Sequence, residues 1–270
     1  MINKRLQENL KERFNPEGSS LRRAQLRMLE MLKYIDRVCV ANNISYWLSS
    51  GSCLGAVRHG GFIPWDDDVD IEMFEEDYKK LCRVLKSQKN PKYILQDYNI
   101  DDEYTYTFAK LRDLTTIIHE PSGDDRWFKY QGCFIDIFPL SPSNSEKLFI
   151  FSAKLWRLTV VYLAKINNSR LRRFLLKISY VTNTKIVFPI LQFISSINNK
   201  DVFRHRLGIG FKGKRFYQDI STTKRVKFED TYFPIPGNAD NYLKELFGDY
   251  KKLPDLTKLH CHTNEFIFLK

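Results

Sequence analysis

Four carboxylates occupy five positions at Asp66, Asp67, Asp68 and Asp70, and the run passes directly into the apolar residues Val69 and Ile71. Alternate residues of an extended strand share a face. Asp66, Asp68 and Asp70 therefore point one way if the strand begins that early, while Val69 and Ile71 point into a core. Same-face neighbours stand roughly 6.5–7 Å apart, so their carboxylates can converge on one cation or on a pair about 3.5–4 Å apart. So much like charge beside a core calls for a cation, and oxygen-only ligation suits Mg2+ or Mn2+ better than zinc. The competing reading is a solvated acidic turn after Pro64, with the Asp residues as caps. The run of acids into Val69 and Ile71 favours strand-end carboxylates.

Upstream lies the small-residue run Ser49-Ser50-Gly51-Ser52. Gly51 allows close backbone approach to a ligand, and Ser52 offers a hydroxyl and an N–H at a helix start, where anions are favoured. An ordinary strand-to-helix turn explains an isolated Gly-Ser equally well. The acids fourteen to eighteen residues onward make it half of a metal–phosphate site. Asp136 stands alone in the apolar run Phe134-Ile135-Asp136-Ile137-Phe138. A buried lone acid is costly, so it needs a partner: a metal, a proton from an attacking hydroxyl, or a salt bridge to Arg or Lys. Arg58, His59, Lys110 and Arg112 lie nearby in sequence, and Arg58 is the preferred phosphate contact because a short helix would carry it above the turn. The tract His260-Cys261-His262 looks superficially like metal ligands, but adjacent residues on one tail rarely close a site.

The order of elements predicts a mixed α/β or α+β domain. A helix over 20–41 is capped by Ser19 or Ser20 and faces the core with Leu26, Leu29, Leu32, Ile35 and Cys39. Strands are expected at 44–48, 69–73, 93–95, 106–111, 115–119 and 133–138, and helices at 54–59 and near 75–85. Phe233-Pro234-Ile235-Pro236-Gly237 reads as an extended turn, followed by a helix capped by Asn238 or Asp240 and ended by Gly248.

The net charge of +11 is unevenly spread. From Lys147 to Lys227 there are 18 Lys and Arg against two acids, leaving 25 basic and 30 acidic residues elsewhere. Such a block attracts nucleic acid, anionic membrane or phosphorylated substrates. It is also rich in Leu, Ile, Phe and Val. Its longest charge-free run, between Lys185 and Lys200, is short of the roughly 20 residues of a membrane span. Amphipathic helices, packed internally or lying on a membrane surface, fit better. Five scattered cysteines without CxxC spacing, and no apolar core in the N-terminal stretch, point to a reducing, cytoplasmic setting.

The stretch from Gly51 through Arg58-His59-Gly60-Gly61 and Trp65 to Ile71 resembles the signature of the LicD family of phosphotransferases, whose distant animal kin include fukutin and fukutin-related protein. Two further segments fit the same family, 134–140 and 242–254, whereas the basic block between them adds nothing to the resemblance. Ser141 stands where the family commonly has an acid, and Cys53 where Thr or Leu is usual.

The resemblance implies an α+β fold, a nucleotidyltransferase-like mixed sheet flanked by helices, with a basic, apolar helical insertion. Residues 1–145 would form the catalytic core, 146–227 the insertion facing membrane or acceptor, and 228–270 a segment packing back on the core. It implies Mg2+ or Mn2+ held by Asp68 and Asp70 with Asp66 as helper, and Asp136 as third carboxylate and candidate base. Gly51 and Ser52 would hold the donor diphosphate, with Arg58 and Lys110 as further donor contacts. The implied reaction moves phosphocholine or a polyol phosphate from a CDP-activated alcohol donor to a lipid-linked or surface glycan, at the cytoplasmic face of a membrane.

Two rival readings fit parts of the same sequence. A sugar-nucleotide glycosyltransferase also uses Asp-x-Asp with a metal, but the Gly-Ser turn followed by closely spaced acids argues against it. A nucleic-acid-binding module would use the basic block, yet Leu, Ile and Phe dominate there and no RNA-binding signature is present, so no nucleic-acid partner is expected.

Overall fold

The computed structural model describes residues 3–119, 125–197, 201–257 and 265–269. His260, Cys261 and His262 lie outside the described residues. In chain order the elements are α1 (Lys4–Phe14), α2 (Ser20–Ala41), β1 (Trp47–Leu48), α3 (Ser50–His59), β2 (Asp70–Phe74), α4 (Glu75–Ser87), β3 (Tyr93–Gln96), β4 (Ala109–Asp113), β5 (Thr116–His119) and β6 (Phe134–Pro142). Then follow α5 (Glu146–Leu163), α6 (Ser169–Thr182), a π-helical turn (Asn183–Val187), α7 (Phe188–Ser196), β7 (Val202–His205), β8 (Arg215–Phe216), α8 (Tyr217–Ile220), β9 (Thr223–Phe228), β10 (Thr231–Pro236), α9 (Ala239–Phe247) and β11 (Glu265–Phe268).

The central sheet runs β1-β2-β6-β4-β3, with β7 on β6 and β8 on β7. Only the β2–β6 pair is parallel among these. The long strand β6 pairs β4 over Phe134–Ile137 and β7 over Leu140–Pro142, so one strand serves two neighbours on the same side. One face of the sheet is apolar. Ile71, Met73, Ile135, Ile137 and Leu111 are buried against Met28, Met31, Leu32 and Ile35 of α2 and Leu81 and Leu85 of α4. This is the expected α+β, nucleotidyltransferase-like architecture.

Helix α2 has the expected limits because the Ser19 side chain accepts the Arg22 N–H at its start. Its buried face differs at one position: Leu26 is exposed, whereas Met28, Met31 and Val38 are buried. The strand expected at 44–48 shrinks to Trp47–Leu48, and the one expected from 106 begins at Ala109. Phe233–Pro236, expected as a turn, is strand β10, paired antiparallel to β9 with Pro234 opposite Arg225 and Pro236 opposite Thr223. Proline is tolerated there because a two-stranded ribbon leaves one edge without partners to disappoint.

The long helices of 146–227 end at Ser196, and only the one-turn helix α8 follows among the described residues of that span. Beyond Ser196, β7 and β8 join the central sheet, and a charged sequence had concealed them. Arg204, His205 and Arg206 each face an acid: Glu146 at 3.5 Å, Glu72 at 2.8 Å and Glu75 at 2.7 Å.

Helix α3 ends at Gly60 with φ 68, a left-handed conformation that favours glycine. A Cβ at Gly55 would lie 2.5 Å from the Gly61 carbonyl oxygen, a backbone atom that cannot swing aside. Gly55→Ala is therefore expected to lower unfolding free energy by about 1–3 kcal/mol, the usual cost of overpacking. Urea unfolding checks it, and an unchanged midpoint would show that α3 can retreat from the acidic loop without cost.

Candidate active site

The start of α3 and the start of β2 are tied together by backbone and side chain. The Ser49 N–H donates to the Asp70 carbonyl (3.0 Å), and the Asp70 N–H donates to Ser52 Oγ (2.9 Å). These two bonds set the Gly-Ser turn against the acids. Ser50 adopts φ 44, and its N–H donates to the Tyr242 hydroxyl (3.2 Å), which fixes this left-handed residue. Gly51 abuts the acidic loop: a Cβ there would sit 3.0 Å from Asp66 Oδ2. From behind, the buried Gln25 side chain on α2 donates to the Asp66 carbonyl (2.8 Å).

The strand proper begins at Asp70, later than the acids, but the alternation already holds in the extended lead-in. Asp66, Asp68 and Asp70 are half-buried, whereas Asp67 and Val69 are buried. Across the sheet, Asp70 on β2 is the register partner of Asp136 on β6, which is the register partner of Lys110 on β4. Lys110 Nζ stands 2.8 Å from Asp136 Oδ1 and lies over the Phe134 ring.

Gly51, Asp66, Asp68, Asp70, Asp136 and Lys110 all line one cavity of about 730 Å3. Burial, and then Asp68 and Asp67, push the Asp66 carboxyl well above its ordinary range, with Arg58 opposing. Burial, and then Asp68, Asp136 and Asp66, do the same to Asp70, with Lys110 opposing. Acids so placed favour a proton or a cation, which is the charge problem posed by the sequence. The donor set is all oxygen and fits a hard divalent ion. The side chains do not stand in a closed arrangement, since no group of three or more His, Cys, Asp or Glu among the described residues is drawn together to hold a metal.

Residues 43–156 match the family model described as LicD/FKTN/FKRP, nucleotidyltransferase domain. The lipopolysaccharide cholinephosphotransferase LicD of Haemophilus influenzae is 28% identical over 250 residues, which cover 87% of this chain and 92% of that protein. Over residues 43–156 the chain is thus similar to the LicD-type nucleotidyltransferase domain. Similarity to the human ribitol 5-phosphate transferase FKRP is local, 50% identical over 57 residues, or 21% of this chain and 11% of that protein. Human FKTN, a ribitol-5-phosphate transferase, is 40% identical over 50 residues, 18% of this chain and 11% of its own.

Two of the residues expected to contact a donor stand elsewhere. Ser52 is buried and its hydroxyl accepts the Asp70 N–H, so it positions the acidic strand instead of lining the cavity. Arg58 is buried on the far side of α3. Its Nη1 donates to the carbonyls of Tyr250 (2.9 Å) and Lys252 (3.0 Å), and its Nε donates to His59 Nε2 (2.9 Å). It reaches Asp66 only as a favourable charge, and it ties the C-terminal segment to the motif. Helical position alone could not reveal this, because the partners are carbonyls about two hundred residues downstream.

A buried cluster beneath the cavity was not anticipated. Glu72 Oε1 accepts from His205 Nε2 (2.8 Å) and from Arg215, and Oε2 accepts from Tyr242 (3.0 Å) and Trp47 Nε1 (3.2 Å). Burial alone would raise the Glu72 carboxyl, yet Arg215 and His205 hold it well below the ordinary carboxylate range. One sequence signal was present: Glu72 continues the alternation of Asp68 and Asp70.

Two predictions follow from these placements. Glu72→Gln leaves Arg215 buried without its counter-charge and is expected to cost about 3–5 kcal/mol in chemical denaturation; a loss below the usual spread for surface changes would show the cluster to be dispensable. The second concerns His59, whose Nε2 accepts from Arg58 and whose Nδ1 faces Gln7 Oε1 at 2.6 Å. Burial, then Arg58, pushes its pKa down to about 3. The unfolded chain thus binds a proton that the native state refuses, so stability falls as pH drops below roughly 6.5 by up to about 1.4 kcal/mol per unit. Comparing pH-dependent melting of the parent with His59→Gln checks this, and the variant should show the shallower acid slope.

Proposed function

We propose that this chain transfers a phospho-substituent from a CDP-activated alcohol donor to a glycan hydroxyl with the help of Mg2+ or Mn2+. The observation that carries the reading is the single cavity in which the Gly51 turn, three half-buried acids of one strand face, Asp136 and Lys110 meet. Similarity to a cholinephosphotransferase over most of both chains supports the same class.

In this reading Asp68 and Asp70 hold the metal, with Asp66 beside them. A bound divalent ion would neutralise the donor diphosphate and the departing CMP. The bare Gly51 backbone admits the diphosphate close to the start of α3, where N–H groups favour anions. Asp136 accepts the proton of the attacking hydroxyl, and Lys110 beside it faces phosphate oxygens. Positioning and charge supply most of the rate, as is usual for transfer of phosphate groups.

The cavity also favours one head group. Tyr106, Phe108, Phe138 and Phe211 form part of its wall, with Phe108 and Phe138 ring centroids 4.5 Å apart. Aromatic faces attract a quaternary ammonium, so phosphocholine fits better than a polyol phosphate. Trp65 and Trp127 lie elsewhere: Trp65 packs on Phe14 and His59, and Trp127 on Arg172. Thermal-shift titration with Mg2+ and CDP-choline, CDP-ribitol, CDP-glycerol or CDP-ethanolamine should give the largest stabilisation with CDP-choline. Equal shifts for all four would remove the head-group assignment, and preference for UDP- or GDP-sugars would support the glycosyltransferase reading instead.

Asp70→Asn is expected to lose both Mn2+ binding, read by electron paramagnetic resonance, and CMP release. Asp136→Asn is expected to keep Mn2+ binding while turnover drops by about 100-fold or more, as for loss of a general base. Undiminished Mn2+ affinity in Asp70→Asn would overturn the metal assignment.

A further inference from the structure

Helix α6, the π turn and α7 form one continuous 28-residue helix, Ser169–Ser196, long and apolar enough to cross a membrane by length and composition. Its inner face, however, is bonded to the folded domain near both ends. Arg172 donates to both oxygens of Glu103 (2.9 and 3.0 Å), Ser195 Oγ meets Ser143 Oγ at 2.6 Å, and the Gln192 side chain donates to the Pro142 carbonyl. A helix held in this way lies on its domain and does not cross a bilayer.

The outer face carries a continuous apolar stripe. Leu171, Phe174, Ile178 and Val181 are exposed at steps of three and four, and so are Ile186, Ile190, Phe193 and Ile197. The five-residue step from Val181 to Ile186 spans the π turn, Asn183–Val187. A π turn takes up one extra residue, so it keeps the two halves of the stripe in line where an unbroken α-helix would rotate them apart. Phe174 is 60% and Phe193 70% exposed, which is far from core packing. Helix α5 adds Phe151, Leu158 and Tyr162, also exposed. Contiguous apolar surface of this extent marks a contact site.

Charge identifies the occupant. Between Lys147 and Ser196 there are nine Lys and Arg and no acid, and Lys154, Arg157, Lys165, Lys177 and Lys185 are exposed among the apolar residues. A second copy of this chain would bring two such cationic faces together. An apolar stripe bordered by cations matches anionic lipid, into which the stripe sinks while the cations meet phosphate groups.

We propose that the outer face of α5–α7 rests on an anionic lipid bilayer. The placement also bears on access, because Lys154 and Arg157 of α5 line a groove that shares Tyr106, Phe108, Phe211 and Lys212 with the acidic cavity. A bilayer beneath α5 would thus lie beside one entrance to that cavity. The docking itself does not depend on the transfer reaction, since lipid contact is read without turnover.

The test is flotation of the full chain with phosphatidylglycerol-containing vesicles and with pure phosphatidylcholine vesicles, at low and at high salt. The chain should float with the anionic vesicles, and high salt should weaken this. Phe174→Asp with Phe193→Asp, and separately Lys177→Glu with Lys185→Glu, should each reduce binding by about ten-fold or more. Circular dichroism melting keeps folded variants apart from unfolded ones, and these exposed side chains leave the core untouched. Failure to float on anionic vesicles, equal flotation on neutral ones, or unchanged binding in both folded double variants would each overturn the proposal. So would sizing that shows a dimer broken by the Phe174→Asp, Phe193→Asp change without any lipid binding.

Discussion

The fold depends on one buried carboxylate. Glu72 lies on β2 with no exposure, and its two oxygens collect Trp47 from β1, His205 from β7, Arg215 from β8 and Tyr242 from α9. A charge so placed must be paired from several directions, or it would cost several kcal/mol. The parts that pair it come from segments well separated in sequence. Tyr242 also binds the Ser50 N–H, so the same cluster sets the left-handed residue that opens α3. From there, the Asp70 N–H to Ser52 bond fixes the acid row in relation to the Gly-Ser turn. The chemistry of the cavity thus rests on a structural charge two residues along the same strand.

Much of this was legible in sequence where the governing interactions are local. The period-two burial pattern of half-buried Asp66, Asp68 and Asp70 against buried Val69 and Ile71 held, although the strand itself starts only at Asp70. The limits of α2 held because Ser19 caps it within its own first turn. Gly51 and Lys110 reached the cavity, one through a turn beside the motif and the other through a register that places it opposite Asp136. The readings that failed depend on distant partners. Arg58 was expected to meet phosphate, yet carbonyls of the C-terminal segment take its donors. The β7 strand was not expected within the basic block, because its Arg204, His205 and the following Arg206 are neutralised by Glu146, Glu72 and Glu75, which lie far away in sequence.

The basic block of the sequence is therefore two populations with one composition. Arg204, His205, Arg206 and Arg215 face Glu146, Glu72 and Glu75 and tie β7 and β8 to the rest of the domain. Most of those between 147 and 196 face outward, beside apolar residues that the fold leaves uncovered. Net charge could not separate them, because a formal count is blind to burial. Two of the acids that neutralise the first group, Glu72 and Glu75, lie on β2 and at the start of α4, far upstream in the sequence.

This division also gives the π turn a physical reason. Within a continuous helix whose inner face is fastened to the domain at Arg172 and again at Ser195, the outer face need not stay in register. Core packing alone would accept a drifting exposed face, because water is indifferent to which polar side chain it meets. Here the exposed residues are apolar on both sides of the turn, and the extra residue restores their line. Selection for solubility would have put polar residues on that line, at Phe174, Ile190 and Phe193 above all. An aligned, exposed, apolar stripe bordered by lysines is instead what contact with a lipid surface requires.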